Sequence, residues 1–429
     1  MKYTQNSKIM QIKNETLIIG VDVASETHYA RAFDYRGVEL GTTLKFSNDA
    51  SGFQQFFVWV EEIRNRQEKE MIIVGMEPTG HYWFPLAGYL KEQHIKFVLV
   101  NPFHVKRSKE LDDNNPTKND RKDPKTIAQL VKDGRYSKPY IPEGLYGEIR
   151  VAMESRWQIV KQLNAIRNRV QRWLSIYFPE FKEVFASWEG KAALMILEAM
   201  PTPQEVVHQG IDAIKDLWRR EKIRAMGSKR AKALLEAAQQ SIGVKEGLEA
   251  AKNEIRFLLE TYELYQKQYD RTMDMVAKVI EQIPGVAEVI KIPGIGVVTI
   301  AGFLAEIGDI NRFSHPEQIQ KLAGLNIAET SSGKYKGQSR ISKRGRKRLR
   351  SVLFQVILPL VANNAEFREL HTYYTHRFQN PLKKKQSLVA LSCKLIRIFF
   401  VVLKKRVAYD AKKMMADIQR TNALVKRAA

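Results

Sequence analysis

Cysteine is almost missing from this sequence: Cys393 stands alone among 429 residues. One thiol excludes an intrachain disulfide and a cysteine zinc cluster, and it fits a reducing compartment. Histidine is sparse too, and His28, His81, His104 and His315 fall at no spacing that zinc ligation would need. Long apolar runs are lacking. Both "SVLFQVILPLVA" and "LIRIFFVVL" are shorter than a bilayer span requires. Residues 1 to 16 carry no apolar core of the secretory type. No membrane partner is expected, and the expected compartment is the cytoplasm. Acids are scarce relative to bases, 47 against 70, which leaves a net charge of +23.

That imbalance is the first positive signal. A chain so rich in one sign repels itself unless a polyanion relieves it, and counterion release from phosphates rewards clustered cations. Nucleic acid is therefore the expected partner. Hydrophobic residues make up 44% of the chain, enough to bury real cores, and the length exceeds one ordinary core. Three domains are expected, over 1–148, 149–282 and 283–429.

The first third alternates strand and helix signals. "LIIGVDV" is a continuous apolar run ending in an acid, the mark of a buried strand. "HYARAFDYRG" and "VELGTTLKFS" predict a hairpin, and "MIIVGM" and "KFVLVN" predict two more buried strands. Helices are expected over "GFQQFFVWVEEIRN", "FPLAGYLKEQ" and "PKTIAQLVKDG". The order β-β-β-α-β-α-β-α describes a mixed, ribonuclease-H-like sheet better than a doubly wound nucleotide fold.

Four acids stand where catalysis would want them. Asp22 ends the first strand, Glu77 follows the fourth, and Asp120 and Asp123 sit at the entrance to a helix. In a sheet of this type the first and fourth strands are neighbours, so Asp22 and Glu77 would converge at one edge. Taken singly, each acid reads as a turn residue or helix cap. Together, oxygen ligands of this kind suit Mg²⁺ or Mn²⁺, which can assist phosphodiester chemistry. Lys106, Arg107, Lys118, Arg121 and Lys122 would guide a nucleic-acid backbone past them.

Downstream, "YSKPYIPEGLYGE" reads as a linker, and a long helical region follows it. Val160, Leu163, Ile166, Val170, Trp173 and Tyr177 recur at helical spacing, as do Ile255, Leu258, Tyr262, Tyr265, Tyr269, Met273, Val276, Ile280 and Ile283. Those rows suit a coiled-coil pair, within one chain or between chains, or an ordinary bundle core. The last domain is expected to be all helical. Its "PGIG" stretch resembles a helix-hairpin-helix, in which Gly294 and Gly296 free backbone amides for phosphate.

"NIAETSSGKYKGQSRISKRGRKRLR" then sets Ser331, Ser332 and Gly333 ahead of nine lysines and arginines, with no acid among them. Serine is a weak nucleophile that needs a base or a field to favour its alkoxide. Lys334, Lys336, Arg340, Lys343, Arg344, Arg346, Lys347 and Arg348 would supply that field and neutralise charge on a scissile phosphate. Read without that chemistry, the run is a backbone-contact segment.

Six segments, in order, carry a resemblance: "IIGVDVA", "GMEPTGHYW", "NPFHVK", "KNDRKDPKTIAQL", "IPGIGVVTIAGFLAEIGD" and "LAGLNIAETSSGKYKGQSRISKRGRKRLR". They resemble the DEDD transposases of bacterial insertion sequences, of the insertion-sequence-110 type. The resemblance covers roughly 15–150 and 280–380. It implies a RuvC-like N-terminal domain whose Asp-Glu-Asp-Asp set is Asp22, Glu77, Asp120 and Asp123. It implies a C-terminal domain with a nucleophilic serine; the spacing favours Ser332, with Ser331 the alternative. Donor and target DNA, a structured guide RNA and a homo-oligomer, dimer or tetramer, are the implied partners, with Mg²⁺ or Mn²⁺ as cofactor. Two departures from the family pattern stand out. Pro124 should hold Asp123 out of helical dihedrals and ahead of its helix. Ile327 replaces a proline that family members usually carry. The expected function is DNA strand cleavage and rejoining; the alternatives are a metal-dependent junction nuclease and a non-catalytic nucleic-acid-binding protein.

Overall fold

The computed structural model describes residues 5–112, 122–220, 223, 227–328, 331–332, 335–336, 340–415 and 418; for 109–112, 331–332 and 335–336 it describes the backbone alone. The chain forms two compact units, Met1–Ile141 and Pro142–Ala429.

The first unit is a six-stranded mixed sheet. Its strands are β1 (Thr16–Asp22), β2 (Thr27–Phe33), β3 (Leu44–Ser47), β4 (Met71–Met76), β5 (Lys96–Val100) and β6 (Tyr136–Ser137). Their order across the sheet is β3-β2-β1-β4-β5-β6. The β1–β2, β2–β3 and β5–β6 pairs are antiparallel, while β4 runs parallel to both β1 and β5. Among the described residues, five helices accompany the sheet: α1 (Gln5–Ile9), α2 (Ala50–Arg66), α3 (Trp83–Glu92), α4 (Pro102–Asp112) and α5 (Asp123–Lys132). Because β1 and β4 are buried on both faces, they read as unbroken apolar runs. Leu17, Ile19, Val21, Val74 and Met76 face a core with residues of α2 and α3. Ile18 and Ile73 face the opposite core, with Ile127, Ala128, Leu130 and Val131 of α5.

Two glycines decide how closely α5 lies on the sheet. Gly20 and Gly75 are register partners across β1 and β4. A Cβ on Gly20 would stand 1.8 Å from the Pro124 carbonyl oxygen, whereas one on Gly75 would meet the Val131 Cγ2 methyl at 2.5 Å. The first neighbour is backbone and cannot step aside; the second is a side-chain tip that can. Gly20→Ala should therefore lift the α5 N-terminus and lower stability by about 3 kcal/mol or more, while Gly75→Ala should cost nearer 1 kcal/mol. Equal urea midpoints for the two variants would show that the contact at Pro124 is not limiting.

Pro124 does not exclude Asp123 from the helix, contrary to the expectation from sequence. Asp123 is the first residue of α5, after Lys122 in right-handed helical dihedrals, and Thr126 N–H donates to the Lys122 carbonyl at 3.2 Å. The first turn offers no intrahelical acceptor to its amides, so a proline there removes no bond.

The second unit is mostly helical. Two helices of 34 residues each, α6 (Gly144–Tyr177) and α11 (Leu248–Glu281), flank α7 (Phe181–Val184), α8 (Lys191–Ala199), α9 (Pro203–Arg220) and α10 (Ser228–Gln239). The long pair is antiparallel: Trp173 Nε1 donates to the Ala251 carbonyl at 2.8 Å, Arg169 pairs with Glu254, and Arg156 reaches Tyr269. The two heptad rows are thus joined inside one chain over ~50 Å. One end of the pair contributes Trp173, Leu174, Ile255 and Leu258 to a core closed by α7 to α10. The other contributes Ile149, Met153, Val276 and Ile280 to a second core.

That second core holds α12 (Val286–Ile290), α13 (Val297–Ile307), α14 (Pro316–Leu322), α15 (Lys347–Asn363), α16 (Ala365–His376) and α17 (Lys384–Lys405). The "LIRIFFVVL" run lies within α17, whose 22 residues are long and apolar enough to cross a bilayer by length and composition. Leu391, Leu395, Ile396, Phe399, Val402 and Leu403 of α17 are instead buried in the core. This part is not wholly helical as expected. β7 (Ile327–Ala328) pairs with β10 (Arg340–Ile341), and β8 (Ser331–Ser332) pairs with β9 (Tyr335–Lys336), between α14 and α15. Residues 326–341 contain no apolar row at helical spacing, so they have no helical face to bury.

Candidate active site

In the first unit, β1 and β4 end level with each other, Val21 beside Met76, so Asp22 and Glu77 occupy one edge of the sheet. Both follow Gly20 and Gly75 by two residues, and strand alternation puts them on the face that α5 covers. Asp123, at the α5 N-terminus beside Pro124 and hence beside Gly20, belongs to the same corner. All three are half-buried. Asp120 lies outside the described residues, as do Lys118 and Arg121. Thr79 Oγ1 donates to Glu77 Oε1 at 3.5 Å. Among the described residues, no group of three or more His, Cys, Asp and Glu side chains is close enough to hold a metal ion. The donor chemistry itself, carboxylate oxygens only, fits Mg²⁺ or Mn²⁺.

The loop leaving Asp22 is fixed by a buried histidine. His28 accepts a hydrogen bond from the Ala24 amide at Nδ1, 3.3 Å away, and packs between Phe46 and Phe53. Burial pushes its pKa below the ordinary value, with Asn48 opposing, so the folded chain keeps the ring neutral. The unfolded chain protonates it below about pH 6.5, so stability should fall as pH drops through that value and be flat above it. The difference in urea midpoint between pH 7 and pH 5 should shrink in His28→Phe; an unchanged difference would exclude His28 as the source.

Aromatic side chains border this edge. The chain leaves β5 at Asn101, whose Oδ1 accepts from the Phe103 amide at 2.9 Å and whose carbonyl accepts from His104 and Val105. Val105 is buried, while Phe103, His104, Lys106 and Arg107 face outward. The Arg107 guanidinium lies 4.8 Å from the Phe103 ring centroid.

In the second unit, Ser331 and Ser332 lie on the backbone of a narrow β arm, Ser332 opposite Tyr335. Gly333 and Lys334, between those partners, lie outside the described residues. The arm is rooted firmly. Lys343 N–H donates to the Gly324 carbonyl, Arg346 N–H to Leu322, and Arg350 Nη1 to Ala323 at 2.7 Å. Gly345 lets these strands cross, since a Cβ there would stand 2.4 Å from the Leu322 oxygen.

Two of the cations expected to contact phosphate also bind acids within the protein. Arg346 donates to the Glu306 carbonyl at 2.7 Å and pairs with its buried carboxylate at 3.6 Å; burial and Arg150 lower the Arg346 pKa. Arg348 donates to Glu154 at 2.7 Å and stacks on Trp157. These two hold the helices together. Arg348 remains exposed all the same, as do Arg340, Lys343, Arg344 and Lys347. Gly294 and Gly296 are also exposed, ahead of α13; Gly294 has φ +93° and nearly touches Leu360. Sequence reasoning overlooked Gly20 and Gly75, although a glycine two places before each acid, in strands otherwise fully apolar, is the signal of a close backbone approach.

A family model described as "Transposase", for the DEDD type, matches residues 19–179, and a second, "Transposase IS116/IS110/IS902 family", matches residues 286–374. The chain belongs to this family of transposases. The first match contains the carboxylate edge and the second contains the β arm. The transposase is 23% identical over 402 residues to an uncharacterized 44.8 kDa protein of insertion element IS116 from Streptomyces clavuligerus, covering 92% of this chain and 97% of the relative. It is 23% identical to the pilin gene-inverting protein of Moraxella bovis, covering 91% and 97%. A 42 kDa protein of insertion element IS900 from Mycobacterium paratuberculosis matches at 21%, over 68% of this chain and 73% of that protein. The transposase is accordingly an enzyme that rearranges DNA.

Proposed function

We propose that this transposase cuts and rejoins DNA through a serine nucleophile in the β arm, assisted by a divalent-metal site at Asp22, Glu77, Asp120 and Asp123. The observation that carries the proposal is the pairing of β1 with β4, which brings Asp22 and Glu77 to one sheet edge. The strand order β3-β2-β1-β4-β5 supports reading the first unit as RuvC-like.

In this reading the Ser332 hydroxyl, or Ser331 in its place, attacks a backbone phosphorus. An Oγ–P bond forms, one P–O bond to a deoxyribose breaks, and the hydroxyl proton ends on the departing sugar oxygen. Attack by a sugar hydroxyl from another strand reverses the step, so the ester energy is kept for rejoining. Lys343, Arg344 and Lys347 favour the alkoxide and balance charge on the phosphate. Bound Mg²⁺ or Mn²⁺ would add Lewis-acid stabilisation of that charge. Gly294 and Gly296, in a helix-hairpin-helix reading, offer amides to the backbone without reading sequence.

A structured RNA pairing with donor and target DNA would carry the target sequence. A dimer or tetramer of this chain, working in the cytoplasm, would bring the ends together. The relative named for inverting a pilin gene supports rejoining over plain cutting. Denaturing electrophoresis of the protein with end-labelled DNA tests the proposal. A protein–DNA adduct supports it; free ends with no adduct would make the protein a nuclease that uses water.

A further inference from the structure

Phe103 is 58% exposed at a place where an apolar ring has reason to be buried. It stands in the first turn of α4, just past the end of β5. Since Met76 is level with Leu99, Glu77 is level with Val100, and Phe103 follows three residues later. Val100 therefore lies about two strand spacings, ~10 Å, along the edge from Asp22, and Phe103 is the second residue of the helix that leaves that point. Its surroundings are cationic: Arg107 lies against one face, and Lys106 is exposed on the same turn. A second exposed ring, Phe84, follows β4 and stacks on buried Trp83 at 4.2 Å.

An apolar ring rimmed by positive charge suits a partner that is flat, aromatic and attached to phosphate. A paired base in a duplex presents only its edge; an unpaired base presents its face. We propose that Phe103, backed by Arg107, is a stacking seat for one unpaired nucleobase beside the carboxylate edge. The Arg107 guanidinium holds the ring from behind and contacts the flanking phosphate, while the open face takes the base. The proposal rests on reading that edge as the place where DNA is cut, and it adds that the strand there is presented opened.

The test is fluorescence anisotropy of the full-length chain with labelled oligodeoxythymidylate, oligouridylate and a blunt DNA duplex, in EDTA so that no strand is cut. Phe103→Ala should weaken single-strand binding by about 5- to 100-fold and leave duplex binding within about twofold. Phe103→Trp should restore it. Loss on the DNA strand assigns the seat to an opened DNA strand, and loss on the RNA strand assigns it to RNA. Phe378→Ala, which removes a fully exposed ring in the second unit, should change neither. Unchanged single-strand binding in Phe103→Ala, equal loss on the duplex, or no rescue by tryptophan would overturn the proposal. Failure of the carboxylate reading would appear elsewhere, as full cleavage by Asp22→Ala with the binding pattern intact.

Discussion

Ser332→Ala is expected to abolish the covalent protein–DNA adduct and to lower strand exchange by at least ~10³-fold, while leaving DNA binding close to wild type. Both serines lie in β8, and the spacing to the basic run that follows favours Ser332 as the nucleophile. Ser331→Ala should therefore retain the adduct. The same gel separates the readings: an adduct that survives in Ser332→Ala but disappears in Ser331→Ala moves the nucleophile by one position. An adduct that survives in both single variants and in the double variant removes serine from the chemistry.

Asp22→Ala and Glu77→Gln are each expected to lower cleavage by ~10²-fold or more, since losing metal-assisted charge stabilisation costs several kcal/mol and each 1.4 kcal/mol is tenfold. Glu77→Gln keeps the shape of the side chain and removes only its charge, so the fold at the end of β4 should survive. In wild type, Mn²⁺ should raise the melting temperature of the first unit, because binding to the folded state alone stabilises it. That rise should be smaller in both variants. Unchanged cleavage together with an unchanged Mn²⁺ shift would remove these carboxylates from the site. Cleavage lost with the shift intact would leave them a role in contacting DNA.

Much of this organisation could be read from the chain alone. Unbroken apolar runs with an acid at the end gave β1 and β4, because strands buried on both faces have no polar side to show. The two rows of apolar residues in α6 and α11 were legible as long helices for a related reason, since a 3.6-residue period has few other solutions. Their partner was not legible. Periodicity states that a helix has an apolar face, but not what covers it, and here each helix covers the other within one chain. Asp123 was misread because the residue before a proline is biased away from helical dihedrals, a bias that the free first turn of α5 outweighs. Arg346 and Arg348 have acidic partners that the sequence does not reveal, because it shows charge and not neighbours; Glu306 and Glu154 are brought to them from far along the chain.

Sequence by itself determined the electrostatic character of this transposase, the strands that lead to Asp22 and Glu77, and the order of its motifs. Those are local properties, set by side-chain polarity and backbone propensity within a few residues. The tertiary structure alone decided how close α5 comes to the sheet, which arginines remain exposed, and that the serines ride on a β arm. Each of those depends on excluded volume between segments distant in the chain, as at Gly20 and Pro124, where one missing Cβ admits a helix.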